Sequence, residues 1–328
     1  HVLNIQTSVD LSIELVSGWN WISINVDPED NSLSGILESL GSDAEFVASL
    51  SSGTSTNYTS QGGDWYGSLE ILEPTQMYKL KMVVPATLTI SGISVDVDST
   101  PISLIAGWNW IGYLPQNPGP LNVALESLGT DAEFVASQSD GTSTNYTEQG
   151  GDWYGTLQTL EPGNGYLLQM LASGELVYPE FDGLAARLGN KREIMLPEQI
   201  QYWDFNYADY EFIGTITASI ENREGSDGDL VGVFVGDECR GMAKRMYFPF
   251  DDSYIYIIQV YSNDDNGEEM TFKYYDKTNN EVIEYTEGLA FTDNMVVGDG
   301  FNTFGLYREH NAMPDKYSLV RAYPNPFN

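Results

Sequence analysis

The sequence predicts a mainly β chain, with two tandem small β-rich modules, each carrying one short helix, followed by a β-sandwich. Three observations carry that expectation. A long internal repeat spans the first half. Glycine (32 residues) and tyrosine (21) are abundant, a composition of strands and turns more than of helices. The last third runs in short stretches of alternating apolar and polar residues, separated by turn residues.

The repeat fixes the first half. Gly18-Trp19-Asn20-Trp21-Ile22 returns as Gly107-Trp108-Asn109-Trp110-Ile111, 89 residues on. Glu38-Ser39-Leu40-Gly41 returns at Glu126, Asp43–Ser49 at Asp131, Gly53–Thr59 at Gly141 and Gln61–Gly67 at Gln149, all 88 residues on. One residue is therefore lost in the loop between Asn25 and Ser32. Each copy reads as an extended segment, then the Gly-Trp-Asn-Trp strand, then a loop with Pro28, Glu29, Asp30 and Asn31. Ser32 caps a short helix with Leu33, Ile36, Leu37 and Leu40 on one face and Gly41 as its stop. Strands follow at Glu45–Ser49, around Tyr58 and Trp65, at Tyr78–Met82 and at Thr87–Ile90.

The divisions expected are an N-terminal strand (1–10), module 1 (11–100), module 2 (101–179), a linker (180–195), a sandwich domain (196–309) and a C-terminal tail (310–328). The linker carries Arg187, Lys191 and Arg192 between glycines. In the last domain, Phe212–Ile220, Leu230–Val235, Tyr254–Tyr261, Met270–Tyr275 and Val282–Tyr285 are strand candidates, and Asn266-Gly267 is a hairpin turn. About eight strands in all suit an immunoglobulin-like sandwich.

Three stretches resemble known families. The repeated unit resembles a module of secreted bacterial proteins built as a "GWNLIS" strand, an "SLxxVLxSLG" helix and an "LxPGxGYxxK" strand. Copy 2 fits at Leu160-Glu161-Pro162-Gly163-Asn164-Gly165-Tyr166. Copy 1 has Thr75-Gln76-Met77 instead, so its turn must avoid the positive φ that glycine permits. Asp227–Gly241 and Asn266–Asp276 resemble a β-sandwich of Bacteroidetes-type surface proteins. Tyr323-Pro324-Asn325-Pro326-Phe327-Asn328 resembles the opening of the type IX secretion C-terminal sorting domain, which implies export to the cell surface of a Gram-negative bacterium.

Charge and chemistry narrow the function. Lys+Arg 14 against Asp+Glu 48 gives a net charge of -34, a surface that repels nucleic acid and anionic membranes. No apolar run reaches the length of a membrane span. The two histidines, His1 and His310, sit near the chain ends, so histidine-based triads and metal sites have no interior base or ligand. Cys239 is alone and reads as a buried, inert thiol. Two constellations remain. Tyr58, Trp65, Tyr146 and Trp153 sit in Gly-rich loops and could stack on sugar rings, core packing being the competing reading. Asp227 and Asp229, and Asp264 and Asp265, offer clustered oxygens for calcium, against plain turn chemistry. The resulting expectation is a non-catalytic extracellular structural or adhesive protein, whose copies could pair strands into a filament or surface layer. The alternative is a surface protein that binds polysaccharide.

Overall fold

The computed structural model describes residues 8–58, 64–181, 202–221, 223 and 225–307. Residues 1–7, most of the predicted linker, the 310–328 tail and its sorting motif lie outside these. The chain is mainly β, and among the described residues its α-helices are the short Leu33–Ile36 and Leu121–Ala124. Among the described residues no helix is long and apolar enough to cross a membrane.

Each repeat builds the same unit. In module 1 a five-stranded antiparallel sheet runs in the order Gly18–Ile22, Tyr78–Met82, Ala44–Ala48, Thr54–Asn57, Trp65–Gly67. A second layer pairs Ser8–Leu15 with Ala86–Ser94, so one continuous strand runs across the expected boundary at residue 10. Module 2 repeats the large sheet as Gly107–Gly112, Gly165–Met170, Ala132–Ala136, Thr142–Asn145, Trp153–Gly155, with Ile102–Leu104 on Gly174–Leu176 as its second layer. The cores lie between the layers and the helix. Leu33, Ile36, Leu37 and Leu40 are all buried in the first, and Leu121, Ala124, Leu125 and Leu128 in the second. The Ser32 hydroxyl accepts from the Gly35 N–H at 3.1 Å, the cap the sequence predicts.

Repeated polar residues hold the turns. Asn20 accepts from the Val16 N–H and donates to the Val16 and Gly18 carbonyls, and Asn109 does the same with Ile105 and Gly107. Asn57 donates to the Gly41 and Ala44 carbonyls, as Asn145 does to Gly129 and Ala132. The hydroxyl of Tyr78 accepts from the Glu73 N–H at 2.6 Å, and that of Tyr166 from the Glu161 N–H at 2.7 Å. That clasp closes the same turn with different residues. Gly163 has φ +87°, whereas Thr75 in copy 1 avoids positive φ, as expected for a residue with a Cβ.

The third domain is one sheet curled on itself. Its order is Glu281–Thr292, Asn266–Asp276, Leu230–Val235, Glu238–Phe248, Ser253–Ser262, Phe212–Ile220, with Val296–Val297 and Phe304–Leu306 parallel to the last. Glu238–Phe248 turns the corner. Its first half pairs with Leu230–Val235 and its second half with Ser253–Ser262. Ile216, Val233, Ile258, Phe272 and Phe291 fill the space enclosed. A bulge between Val233 and Phe234 frees Arg240 from the ladder. Its guanidinium grips Glu268 with both oxygens, at 2.7 and 2.9 Å, over the ring of Tyr210.

Candidate functional site

The tryptophans of the repeated motif do not enter their own module cores. Trp21 and half-buried Trp108 and Trp110 form an inter-domain cluster with Met77, Phe134, Tyr210, Ile213 and Tyr261. Trp19 is buried edge-on against Phe46, 5.9 Å between centroids. Gly18, at φ +93°, needs glycine twice, because a Cβ there would also strike the Ala208 carbonyl of the turn that covers this strand. All three domains therefore meet on the Gly-Trp-Asn-Trp strands.

Polar groups lock that meeting. Gly18–Ile22 is the outermost strand of its sheet, with free backbone groups at Trp19 and Trp21. The side-chain amide of Gln138 takes both, accepting from Trp21 N–H at 2.9 Å and donating to the Trp19 carbonyl at 2.7 Å. The Tyr261 hydroxyl donates to the Gln138 carbonyl at 2.6 Å and the Gln259 amide to the Ser137 carbonyl at 2.7 Å, which brings in the sandwich. The modules also cap each other. Ser23 N–H donates to the Gly163 carbonyl at 2.9 Å, and the equivalent Gly112 N–H to the Thr75 carbonyl at 3.1 Å. Two isolated bridges, Ile22 with Asn164 and Ile111 with Gln76, follow the same reciprocity.

Lys79 lies at the centre of this junction. It is 4% exposed, its Nζ donates to the Glu211 carbonyl at 3.0 Å, and the rings of Trp110, Phe212 and Trp21 stand 4.8, 5.1 and 5.6 Å away. Burial pushes the ammonium below its ordinary pKa, and the charges of Asp293 and Glu211 oppose that. Burial raises both carboxyls in turn, against the pull of Lys79.

The four aromatic residues expected on a sugar platform are not brought to one surface. Trp65 and Trp153 are half-buried against their own module cores. Tyr146 is buried with Tyr154 under Phe248 of the sandwich, and its hydroxyl accepts from the Gly300 N–H at 2.8 Å. Of the four only Tyr58 is largely exposed, at 44%, beside Tyr66 at a 51° tilt. The expectation is corrected at these positions because one copy's loop is covered by the third domain and both indoles are needed for packing. Burial raises Tyr154 to about 12, and its hydroxyl donates to the Tyr247 carbonyl.

The acidic loops also have other work. Asp229 is buried, and its two oxygens accept from Ser226 N–H and hydroxyl, Tyr274 hydroxyl and Lys277 N–H. All its acceptor sites are filled by protein donors. Burial alone would raise its pKa, yet these bonds hold it below the ordinary value. Asp227 is exposed and pairs with Arg245 at 2.9 Å. Asp264 closes a turn with Ser262, and Asp265 accepts from the Asn266 amide. Among the described residues no group of three His, Cys, Asp or Glu gathers where a metal could sit. Cys239 is buried, its thiol pushed up to about 11 by burial, and it donates to the Gly241 carbonyl.

Gln138, Lys79 and Arg240 are the residues that reasoning from the repeat alone passes over. Comparisons with protein-family models, curated proteins and solved structures each returned no match.

Proposed function

We propose that this chain is a non-catalytic structural or adhesive protein of the outer surface of a Gram-negative bacterium. One observation carries the reading. The side chains with the most distinctive chemistry, Trp21, Trp110, Lys79, Gln138 and Tyr261, are spent on holding three domains together. A rigid presenting body would use such a junction. The acidic surface, the tandem modules and the resemblance of Tyr323–Asn328 to a sorting signal support the same reading.

The proposed partners are further copies of the chain or other surface proteins, joined by strand pairing. Gly18–Ile22 is capped within the chain, so pairing falls to Ser8–Leu15 and Glu281–Thr292, outermost strands of their sheets. A net charge of -34 opposes self-association at low salt, so assembly should strengthen as salt screens it. Antibody labelling of intact cells tests the location, and signal confined to the cytosol refutes it. Light scattering and electron microscopy of the full chain across salt concentration test the assembly. A monomer under every condition removes self-pairing and leaves other surface proteins as the partner.

A further inference from the structure

A cleft of about 610 Å³ opens where the outer face of the module 2 sheet meets the loop following Val296–Val297 of the sandwich. That volume is within the range of small-ligand sites, which favour domain junctions. Its floor is a row of cross-strand neighbours, Gln169, Phe134 and Thr144. Its wall is the turn at 299–302. The Asp299 carboxylate accepts from the N–H groups of Phe301 and Asn302 at 2.6 and 2.9 Å, and Gly300 is tied to the Tyr146 hydroxyl. Wall and floor are thus bound to each other before any ligand arrives.

The lining selects by charge. No lysine or arginine lines the cleft, while Glu133, Glu148 and Asp299 do, so phosphates, sulfates and acidic sugars are repelled. The side-chain amides of Gln149 and Gln169 line it and make no hydrogen bond among the described residues. Phe301 adds an aromatic ring that is 40% exposed. Uncommitted amides, carboxylate acceptors and one accessible ring match the hydroxyls and C–H faces of an uncharged sugar. We propose that this cleft binds a neutral oligosaccharide.

Module 1 supplies an internal control. The residue equivalent to Gln169 is Lys81, which pairs with Glu45 at 3.6 Å and lies over Trp19. Val296, Asp299, Phe301 and Asn302 of the sandwich line the cleft, so the sandwich completes the site on the module 2 sheet. It does not depend on strand-paired assembly.

The test is calorimetric titration of the full chain with cellohexaose, xylohexaose and mannohexaose. Saturable one-site binding of at least one of them is expected. Gln169→Lys, which restores the module 1 residue, should weaken it about tenfold with an unchanged melting temperature. Phe301→Ala should weaken it similarly, and Tyr66→Ala should not. No binding of any of the three at millimolar concentration overturns the proposal. So does binding that survives both cleft substitutions, binding lost in Tyr66→Ala, or binding of oligolysine in place of the sugars.

Discussion

Gln138→Leu is the sharpest probe of the domain junction. Leu50 occupies the equivalent position in module 1, so the change makes copy 2 resemble copy 1. It removes two buried side-chain hydrogen bonds, to Trp21 N–H and to the Trp19 carbonyl. The bond from Tyr261 goes to the Gln138 backbone carbonyl and survives. Each stranded backbone group costs about 1–3 kcal/mol. Leucine recovers ~1 kcal/mol through burial of its apolar surface. Two such groups less that recovery leave a net loss of about 1–5 kcal/mol. Urea unfolding, followed by tryptophan fluorescence, reads it directly, since the affected indoles belong to the cluster. The reciprocal change, Leu50→Gln, falls on an exposed side chain and should move the midpoint by less than about 0.5 kcal/mol. A Gln138→Leu midpoint equal to wild type would refute the claim that this amide closes the strand edge.

Three further outcomes follow from the same geometry. Glu268→Ala removes the two short bonds to the buried Arg240 guanidinium, leaving it only the longer contacts to Glu238 and the Tyr261 carbonyl, and should cost about 3 kcal/mol in thermal or urea unfolding. Glu268 and Asp229 both titrate below their ordinary values when folded. Their contribution is complete above the unfolded carboxylate pKa and is lost as pH falls through the lower folded values, so acid unfolding should steepen below about pH 4. Asp229→Asn should flatten that dependence, measured as urea midpoint against pH. Finally, Tyr66 is 62% exposed and Tyr154 is 7% exposed, within identical Gln-Gly-Gly-Asp-Trp-Tyr-Gly segments. Tetranitromethane should nitrate Tyr66 and spare Tyr154, as read by mass spectrometry of peptides.

The module was legible because its signals are local. Ser32 caps a helix a few residues away, and the apolar spacing of Leu33, Ile36, Leu37 and Leu40 states which face is buried. The strands of the sandwich were legible from alternation. The junction was not, because its residues act across more than a hundred positions. Gln138 reaches Trp21 at a separation of 117 residues and Lys79 reaches Glu211 at 132. Nothing in the residues flanking Gln138 forecasts that. One signal was present all the same. Leu50 and Gln138, Lys79 and Leu167, and Lys81 and Gln169 are positions where the copies differ in polarity. Each pair has at least one member at the junction or the cleft. The likeness between copies specifies the fold, and the differences mark the contacts.

The reciprocal contacts between the modules have a historical meaning. Ser23 with Gly163 and Gly112 with Thr75 are one contact made twice, as are the bridges of Ile22 and Ile111. A patch that binds its own duplicate in this way is self-complementary, the property of a two-fold homodimer. Fusing such a dimer into one polypeptide releases each half from serving both roles. One half could then change its surface without forcing the change on its twin. The sandwich touches both halves but covers this loop in the second only, burying Tyr146 and Tyr154 and leaving Tyr58 and Tyr66 in water. Two equal partners joined in one chain are free to become unequal.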